Sequence, residues 1–340
     1  MASQEGHSEG LSTRDAAMVV PPESPPFRAG RFKGYREGCG ALVRIIVFGA
    51  NGFLGAHVYR KLVKRHGSDA LVVGTCSTHS QMPGLISLDV MMHGAVQALL
   101  QEVKPDVVIW CVKAREGQDE VRITQGGLST LVDQVGRSSR IIFVSSDAVL
   151  PGSSGHYRED TPPVASRGVT ALDHYINGKI AAERLIAEAS SNFCIVRPGP
   201  IFGTRVTGGW DDRTHRMLEA LGRGAGLQQP WNLVRTYSHV QDLADSLCEL
   251  SQSQVNGVLH VGAPLPTSHF DFGKVLAHRA GYPVQSVRGF EISPEDAAKR
   301  HLRLDTSMDT HRATECLHTS FSSVQEALSR EPLLLEKYRR

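Results

Sequence analysis

A doubly wound, parallel α/β sheet is the fold class that this sequence predicts, on three observations. The stretch 44–57 runs from Ile45, Ile46, Val47 and Phe48 into glycines spaced Gly49-x-x-Gly52-x-x-Gly55, then into helical spacing at Leu54, Val58, Leu62 and Val63. Strand, glycine turn and helix in that order open a dinucleotide-binding unit, in which a pyrophosphate meets the unpaired N–H groups of the helix N-terminus. Short apolar runs then alternate with segments of helical period, and the runs are near-continuously hydrophobic, as strands buried on both faces are. Finally, Gly49, Asp89 and Ser146 fall where such runs stop, and ligands of these sheets sit beyond the carboxyl ends of the strands.

Taken in order, Leu42–Phe48 is the first strand and Phe53–Arg65 the first helix. Ala70–Gly74 is a second buried strand and Leu85–Val90 a third, ending at Asp89. A helix follows over Gly94–Glu102, then the strand Val107–Val112, helical spacing at Leu128, Leu131, Val132 and Val135, and the strand Arg140–Val144. Residues 151–170 are a polar loop rich in glycine and proline, and ordered loops of that length are more often functional than passive. The next helix, Leu172–Glu188, carries Tyr175 and Lys179 four residues apart and so on one face. Phe193–Arg197 is the sixth strand. Helices are expected over Asp212–Leu221 and Val240–Leu250, and amphipathic spacing recurs at Phe270–Ala280 and Ser323–Leu328.

Composition excludes several classes of function. The chain has 340 residues, 41% hydrophobic and 21% charged, with a formal net charge of +2. No global field points to nucleic acid or to an acidic membrane, and no apolar run reaches the ~18 residues of a membrane helix. Six cysteines lie far apart, without a C-x-x-C pair; they read as small buried hydrophobes of a reducing compartment. The histidines show no H-x-x-x-H or H-E-x-x-H spacing, so no metal site is expected. Residues 1–41 lack apolar periodicity and hold Pro21, Pro22, Pro25 and Pro26 among scattered charges, so they are expected to be disordered. They have neither the basic start and apolar core of a signal peptide nor the acid-poor composition of a transit peptide. A cytoplasmic location is the expectation.

Ser146, Tyr175 and Lys179 form a candidate catalytic set. A ketone that accepts hydride develops negative charge on oxygen, and a proton must follow. A tyrosine hydroxyl can supply it, and a cationic lysine one turn away is expected to draw its pKa down from the usual ~10. Ser146 can hold the carbonyl oxygen by a hydrogen bond. At the end of the second strand Thr75, Cys76, Ser77, Thr78, His79 and Ser80 provide no acid to take the adenosine ribose hydroxyls. Small hydroxyl side chains leave room for a 2′-phosphate, which favours NADP and leaves NAD open. In residues 199–226, Arg213, Arg216 and Arg223 with Trp210 could meet a nucleoside diphosphate, or could equally be solvated residues of a helix.

Over about residues 42–330 the chain resembles the extended short-chain dehydrogenases/reductases, and within them the dTDP-4-dehydrorhamnose reductase family. The matching stretches include GANGFLG (49–55), KPDVVIWC (104–111), FVSSDAVL (143–150), YRED (157–160), YINGK (175–179), RPGPIFG (197–203), YSHVQDLADSL (237–247) and RLDTSMDT (303–310). The resemblance implies a Rossmann domain of residues 42–198 and about 233–262, with a smaller α/β substrate domain from about 199–232 and 263–330. It implies that Gly49, Asn51, Gly52, Phe53, Leu54 and Gly55 line the cofactor pyrophosphate and that Asp89 and Val90 flank the adenine. Ser146 would take the family's Ser/Thr role, Tyr175 would donate the proton, Lys179 would contact ribose and tyrosine, and Arg197 would lie near the nicotinamide. The implied activity is NAD(P)H-dependent reduction of a nucleoside-diphospho-4-keto-6-deoxy sugar, an oxidoreductase reaction between keto and CH–OH groups. The alternatives are a sugar-nucleotide epimerase or dehydratase, and a non-catalytic NADP-binding regulatory subunit like methionine adenosyltransferase β. The expected ligand is a nucleotide sugar, and a homodimer is left open. The chain departs from the family pattern at Ala148, where an aromatic is usual, at the turn Val149–Gly152, and at Thr124, where relatives carry an Asn that supports the catalytic lysine.

Overall fold

The computed structural model describes residues 42–77, 82, 84–114 and 120–332. The segment 1–41 lies outside the described residues, as do Thr78, His79 and Ser80. The first six strands are β1 (Val43–Phe48), β2 (Ala70–Cys76), β3 (Leu85–Ser87), β4 (Val107–Trp110), β5 (Arg140–Val144) and β6 (Phe193–Pro198). Four short strands follow: β7 (Ile201–Phe202), β8 (Leu227–Pro230), β9 (Val234–Arg235) and β10 (Ser238–His239). The chain then returns to the main sheet as β11 (Gly257–Val261) before β12 (Thr267–Ser268) and β13 (Val287–Phe290). The helices are α1 (Phe53–His66), α2 (His93–Val103), α3 (Glu120–Ile123), α4 (Ser129–Val135), α5 (Ala171–Ala189), α6 (Asp212–Gly222), α7 (Val240–Leu250), α8 (His269–Arg279), α9 (Pro294–Lys299), α10 (His311–Cys316) and α11 (Val324–Arg330).

The main sheet has seven strands in the order β11-β6-β5-β4-β1-β2-β3, and its pairs are parallel. Order reverses at β1, which lies between β2 and β4. A doubly wound sheet opens its ligand crevice at that reversal, and the glycine turn occupies it. The inner strands β1, β4, β5 and β6 bury both faces over most of their length, which is why the sequence shows apolar runs rather than alternation. One face packs Val96, Leu99, Leu131 and Ile186 against Phe48 and Trp110. The other packs Leu54, Val58 and Leu62 of α1 and Leu243 and Leu247 of α7 against Ile45, Val47 and Ile109. Fully burying one such aliphatic side chain stabilises by about 1.5–3 kcal/mol, so these layers fix the strand ends firmly.

A second apolar core lies beyond the sheet, built from Phe202, Met217, Leu218, Leu227, Tyr237, Phe272, Leu276 and Leu328 among others. Tyr237 thus belongs to this second core, although the resemblance places its segment in the first domain. Conversely, Ala313 and Leu317 pack on the main sheet.

Two further expectations are corrected. The third strand stops at Ser87 rather than Val90: Asp89 turns the chain by accepting the Met91 N–H at 2.9 Å. Helix also begins at Glu120, eight residues before the first periodic leucine, and passes through a π-helical turn at Thr124–Leu128. Gly126 and Gly127 allow this turn to lie on the β3–α2 connection, since a Cβ on Gly127 would stand 2.5 Å from the Val90 carbonyl oxygen. Among the described residues, no helix is long and apolar enough to cross a membrane.

Candidate active site

The glycine turn joins β1 to α1. Gly49 has φ +79°, and a Cβ there would stand 3.1 Å from the Cys111 and Val112 backbone. A Cβ on Gly55 would lie 2.2 Å from the Gly49 carbonyl oxygen, so Gly55 lets the helix close onto the turn. The nearest neighbour of a Cβ on Gly52 is the same oxygen, at 3.2 Å; its bare Cα faces more open space. Gly52 caps α1 without a side-chain acceptor, and the first turn of α1 carries no acid. The first-turn N–H groups, which have no intrahelical partner, are therefore left for an anion. An uncapped, acid-free helix start behind a turn without side chains fits a dinucleotide pyrophosphate. Asn51 is exposed on the turn, while Phe53 and Leu54 begin the helix. Asp89 is exposed at the end of β3, and Val90 is buried beneath Gly127.

Ser146 and Tyr175 meet at the carboxyl end of β5. Ser146 starts a short 3-10 turn, accepting the Ala148 N–H at 3.2 Å, and lies close enough to the Tyr175 hydroxyl to draw its pKa down. The Lys179 ammonium lies 5.6 Å from the centroid of the Tyr175 ring. The structure corrects two expectations here. Burial pushes the Tyr175 hydroxyl pKa up; Lys179 and Ser146 pull it down, but Glu120 and Asp147 push it up again. The net direction is opposite to the one expected from the Tyr–Lys spacing. The second correction concerns Lys179. It forms an ion pair with Glu120 at 2.9 Å, both side chains 3% exposed, and donates to the Val144 and Val112 carbonyls at 3.2 and 3.4 Å. An ammonium has three N–H donors, and these contacts use them all. The ammonium is thus held by groups of the protein itself.

Arg197 ends up in a buried ion pair behind the strand end. Its guanidinium makes a two-pronged pair with Glu183 at 2.9 and 2.7 Å, buried between β6 and α5, and Glu183 also accepts from Ser145 at 2.5 Å. Sequence reasoning missed Glu120 and Glu183. A glutamate in a helix normally signals solvent, and neither position carries a motif.

A cavity of about 360 Å³ opens beside this centre, lined by Arg213, Arg216, Gln229, Tyr237, His269 and Phe272. Tyr237 and Phe272 stack with centroids 4.5 Å apart, and the Arg213 guanidinium lies 5.3 Å from the Tyr237 ring. Burial and the charges of Arg235 and Arg213 push the His269 pKa down to about 3, so this imidazole is neutral at ordinary pH. Trp210 is a buried core residue and the cavity aromatics are Tyr237 and Phe272. Arg235 Nε is 3.7 Å from the buried Asp147 after β5, and the charges of Arg235 and of the cavity residue Arg213 both act on that carboxylate. Asp147 also accepts from Thr306 at 2.7 Å, and burial raises its pKa despite these partners. Loop 151–170 is fixed by Tyr157, whose hydroxyl accepts the Ser153 and Ser154 N–H groups at 2.8 and 3.0 Å, and by Arg303, which donates to the Ala148 and Leu150 carbonyls.

Residues 43–332 match the family model described as RmlD substrate binding domain. Methionine adenosyltransferase 2 subunit beta of Xenopus laevis is 25% identical over 279 residues, covering 76% of this chain and 78% of that protein. UDP-glucuronic acid decarboxylase 5 of Arabidopsis thaliana is 22% identical, covering 85% of this chain and 88% of its own. Among solved structures, dTDP-4-dehydrorhamnose reductase from Bacillus anthracis in complex with NADP superposes with a TM-score of 0.67 at 20% identity, covering 86% of this chain and 99% of that one.

Proposed function

Because the chain belongs to the RmlD substrate binding domain family, of the extended short-chain dehydrogenase/reductase type, we propose that it is an NAD(P)H-dependent reductase of a nucleoside-diphospho-4-keto-6-deoxy sugar. One observation carries the reading: Ser146 and Tyr175 come together after β5 in a chain that also has a glycine turn fitted to a pyrophosphate and an arginine-lined cavity. NADP, with NAD as the second choice, would be held at its pyrophosphate by the backbone of Gly49, Asn51, Gly52, Phe53, Leu54 and Gly55, with the adenine beside Asp89 and Val90. Bound there, the dinucleotide supplies a hydride. Ser146 hydrogen-bonds the keto oxygen, and Tyr175 delivers the proton to it as negative charge develops. A phenol whose pKa is raised is protonated at neutral pH, as a proton donor must be. Arg213 and Arg216 suit the diphosphate, and the Tyr237–Phe272 stack offers an apolar wall to the rest of the nucleotide sugar.

A second reading, a dinucleotide-binding regulatory subunit, is favoured by the likeness to methionine adenosyltransferase 2 subunit beta and by the commitment of Lys179 to Glu120. NADPH and NADH consumption against a panel of nucleotide-linked 4-keto sugars separates the two. Turnover is expected with at least one of them. Tyr175→Phe should lower it by about 10²–10⁴-fold while leaving dinucleotide affinity nearly unchanged. Tight NADPH binding with no turnover on any keto sugar would favour the regulatory reading.

A further inference from the structure

The proton donor of this site is governed by a residue outside the Ser–Tyr–Lys set. Glu120 opens α3 and is 3% exposed. Its Oε1 lies 2.9 Å from the Lys179 ammonium, and its Oε2 accepts the Ala114 N–H at 2.6 Å. Both carboxylate oxygens are therefore engaged, and the group is held rather than adrift. The two helices approach closely because residue 178 is glycine: a Cβ there would lie 2.7 Å from the Glu120 backbone carbon, Cβ and Cγ. Thr124 fastens the contact, its hydroxyl being shared between the carbonyls of Glu120 at 3.0 Å and Gly178 at 3.2 Å. Thr124 thus staples the helices together, and the support of the lysine comes from the residue one helical turn before it.

We propose that Glu120 is a positioning residue of this active site: it fixes Lys179 by a buried ion pair and thereby keeps Tyr175 a proton donor, setting the site for reduction rather than for alcohol oxidation. The direction of transfer rests on the reductase reading above; the control of Tyr175 by Glu120 does not. An unpaired ammonium one turn from the phenol would favour tyrosinate more strongly; a carboxylate paired with it offsets part of that field, Glu120 pushing the Tyr175 pKa up against the larger downward pull of Lys179. Among the described residues, the charged groups facing Tyr175 are Lys179 on its own helix, Glu120 on α3, Asp147 after β5, and Lys113 after β4, whose ammonium is 5.5 Å from the ring centroid. Cys111 adds no charge at neutral pH, since burial pushes its thiol up to about 12. Glu120→Gln removes one negative charge from this set and keeps its shape.

The test is an ultraviolet difference titration of the Tyr175 phenolate in the full chain, each protein being compared with the same protein carrying Tyr175→Phe. Glu120→Gln should lower the Tyr175 midpoint by on the order of one pH unit. Glu120→Asp, which keeps the charge but withdraws it by one methylene, should give a smaller shift in the same direction and serves where the glutamine variant does not fold. An unmoved midpoint in a folded variant overturns the proposal, because a merely structural glutamate would alter stability and leave the phenol where it was. With a turned-over keto sugar, the alkaline limb of the kcat profile should fall to lower pH by the same amount. Absence of turnover in the unsubstituted protein would count against the reductase reading alone, and the titration would still decide the role of Glu120.

Discussion

Gly52 and Gly55, spaced alike in one turn, do different things. Gly55 is required by the fold, because a Cβ would be driven to 2.2 Å from the Gly49 oxygen, a backbone atom that cannot move without breaking the turn. Gly52 has only that oxygen near a Cβ, at 3.2 Å. Gly55→Ala should therefore cost about 1–3 kcal/mol in denaturant unfolding, the usual range for overpacking. Gly52→Val should cost less in unfolding than Gly55→Ala, the poorer cap and the 3.2 Å contact accounting for the loss, and should abolish NADPH binding, because its branched side chain would stand at the proposed approach of the phosphate. If Gly52→Val binds the dinucleotide with unaltered affinity, the turn does not hold the pyrophosphate. The spacing of these residues is legible in sequence because it is local, and so are Ser146, Tyr175 and Lys179. Glu120 and Glu183 are not legible. Each is defined by a partner brought in by helix packing, Lys179 for one and Arg197 for the other, and a lone glutamate carries no sign that it will be buried.

The same division holds among the elements. The inner strands of the main sheet can be read from their apolar runs, because burial on both faces leaves a signal within the strand itself, whereas the short edge strand β3 ends earlier than its run. The strands of the second lobe cannot be read in this way. β7, β9, β10 and β12 have two residues each, and β8 and β13 have four, too few to show a period, so tertiary packing alone sets their pairing. The π-helical turn at Thr124–Leu128 is likewise written in its neighbours, since it exists where Gly126 and Gly127 meet Met91 and Val90. Helix α5 is the element on which the proposed chemistry depends, and its start is determined locally. Thr170 accepts the Asp173 N–H at 3.1 Å, and Asp173 returns the bond to the Thr170 N–H at 2.9 Å, completing a capping box. Asp173 is fully buried and also takes Ser166 and, at 2.8 Å, His301. Thr170→Ala should cost about 1 kcal/mol by urea unfolding, the typical loss for an N-cap. The Tyr175 phenol should titrate unchanged, since the cap lies a full turn away. A stability loss indistinguishable from zero would mean that Asp173 and His301 hold the helix start without the threonine.

At the scale of the whole molecule, the two cores are joined by a buried polar network rather than by apolar contact alone. His239, at the start of α7, meets Glu331 at 2.7 Å and Asp242 at 3.4 Å. Glu331 accepts from the Thr204 hydroxyl at 2.6 Å, and the Thr204 carbonyl is 2.9 Å from the His57 ring on α1. The end of the described chain is thus tied to the second lobe and to the cofactor helix at once. Burial alone would lower the His239 pKa, but Asp242 and Glu331 outweigh it and the net direction is upward. Asp242 is held down to about 2 and Glu331 also lies below its usual value, in each case because bonds to His239 and its neighbours outweigh burial. The signs follow from linkage. A histidine whose folded pKa is raised gives its full stabilisation below its unfolded value near 6.5 and loses it as pH rises through the folded value. The two acids contribute above their unfolded values near 4 and lose that contribution as pH falls towards 2. Other buried histidines act in the opposite sense: His260 and His269 are pushed down to about 4 and about 3, so they penalise the fold increasingly below about pH 6.5. The total pH profile therefore mixes both signs, and a difference measurement isolates the network. His239→Gln should destabilise the protein most between about pH 5 and 6.5, and the gap to the unsubstituted chain should narrow as pH rises through the raised folded pKa, by about 1.4 kcal/mol for each unit by which that pKa exceeds its unfolded value. Urea unfolding of both proteins across that range checks it. A gap that is constant with pH would mean that His239 is neutral in the folded protein and joins the lobes by hydrogen bonding alone.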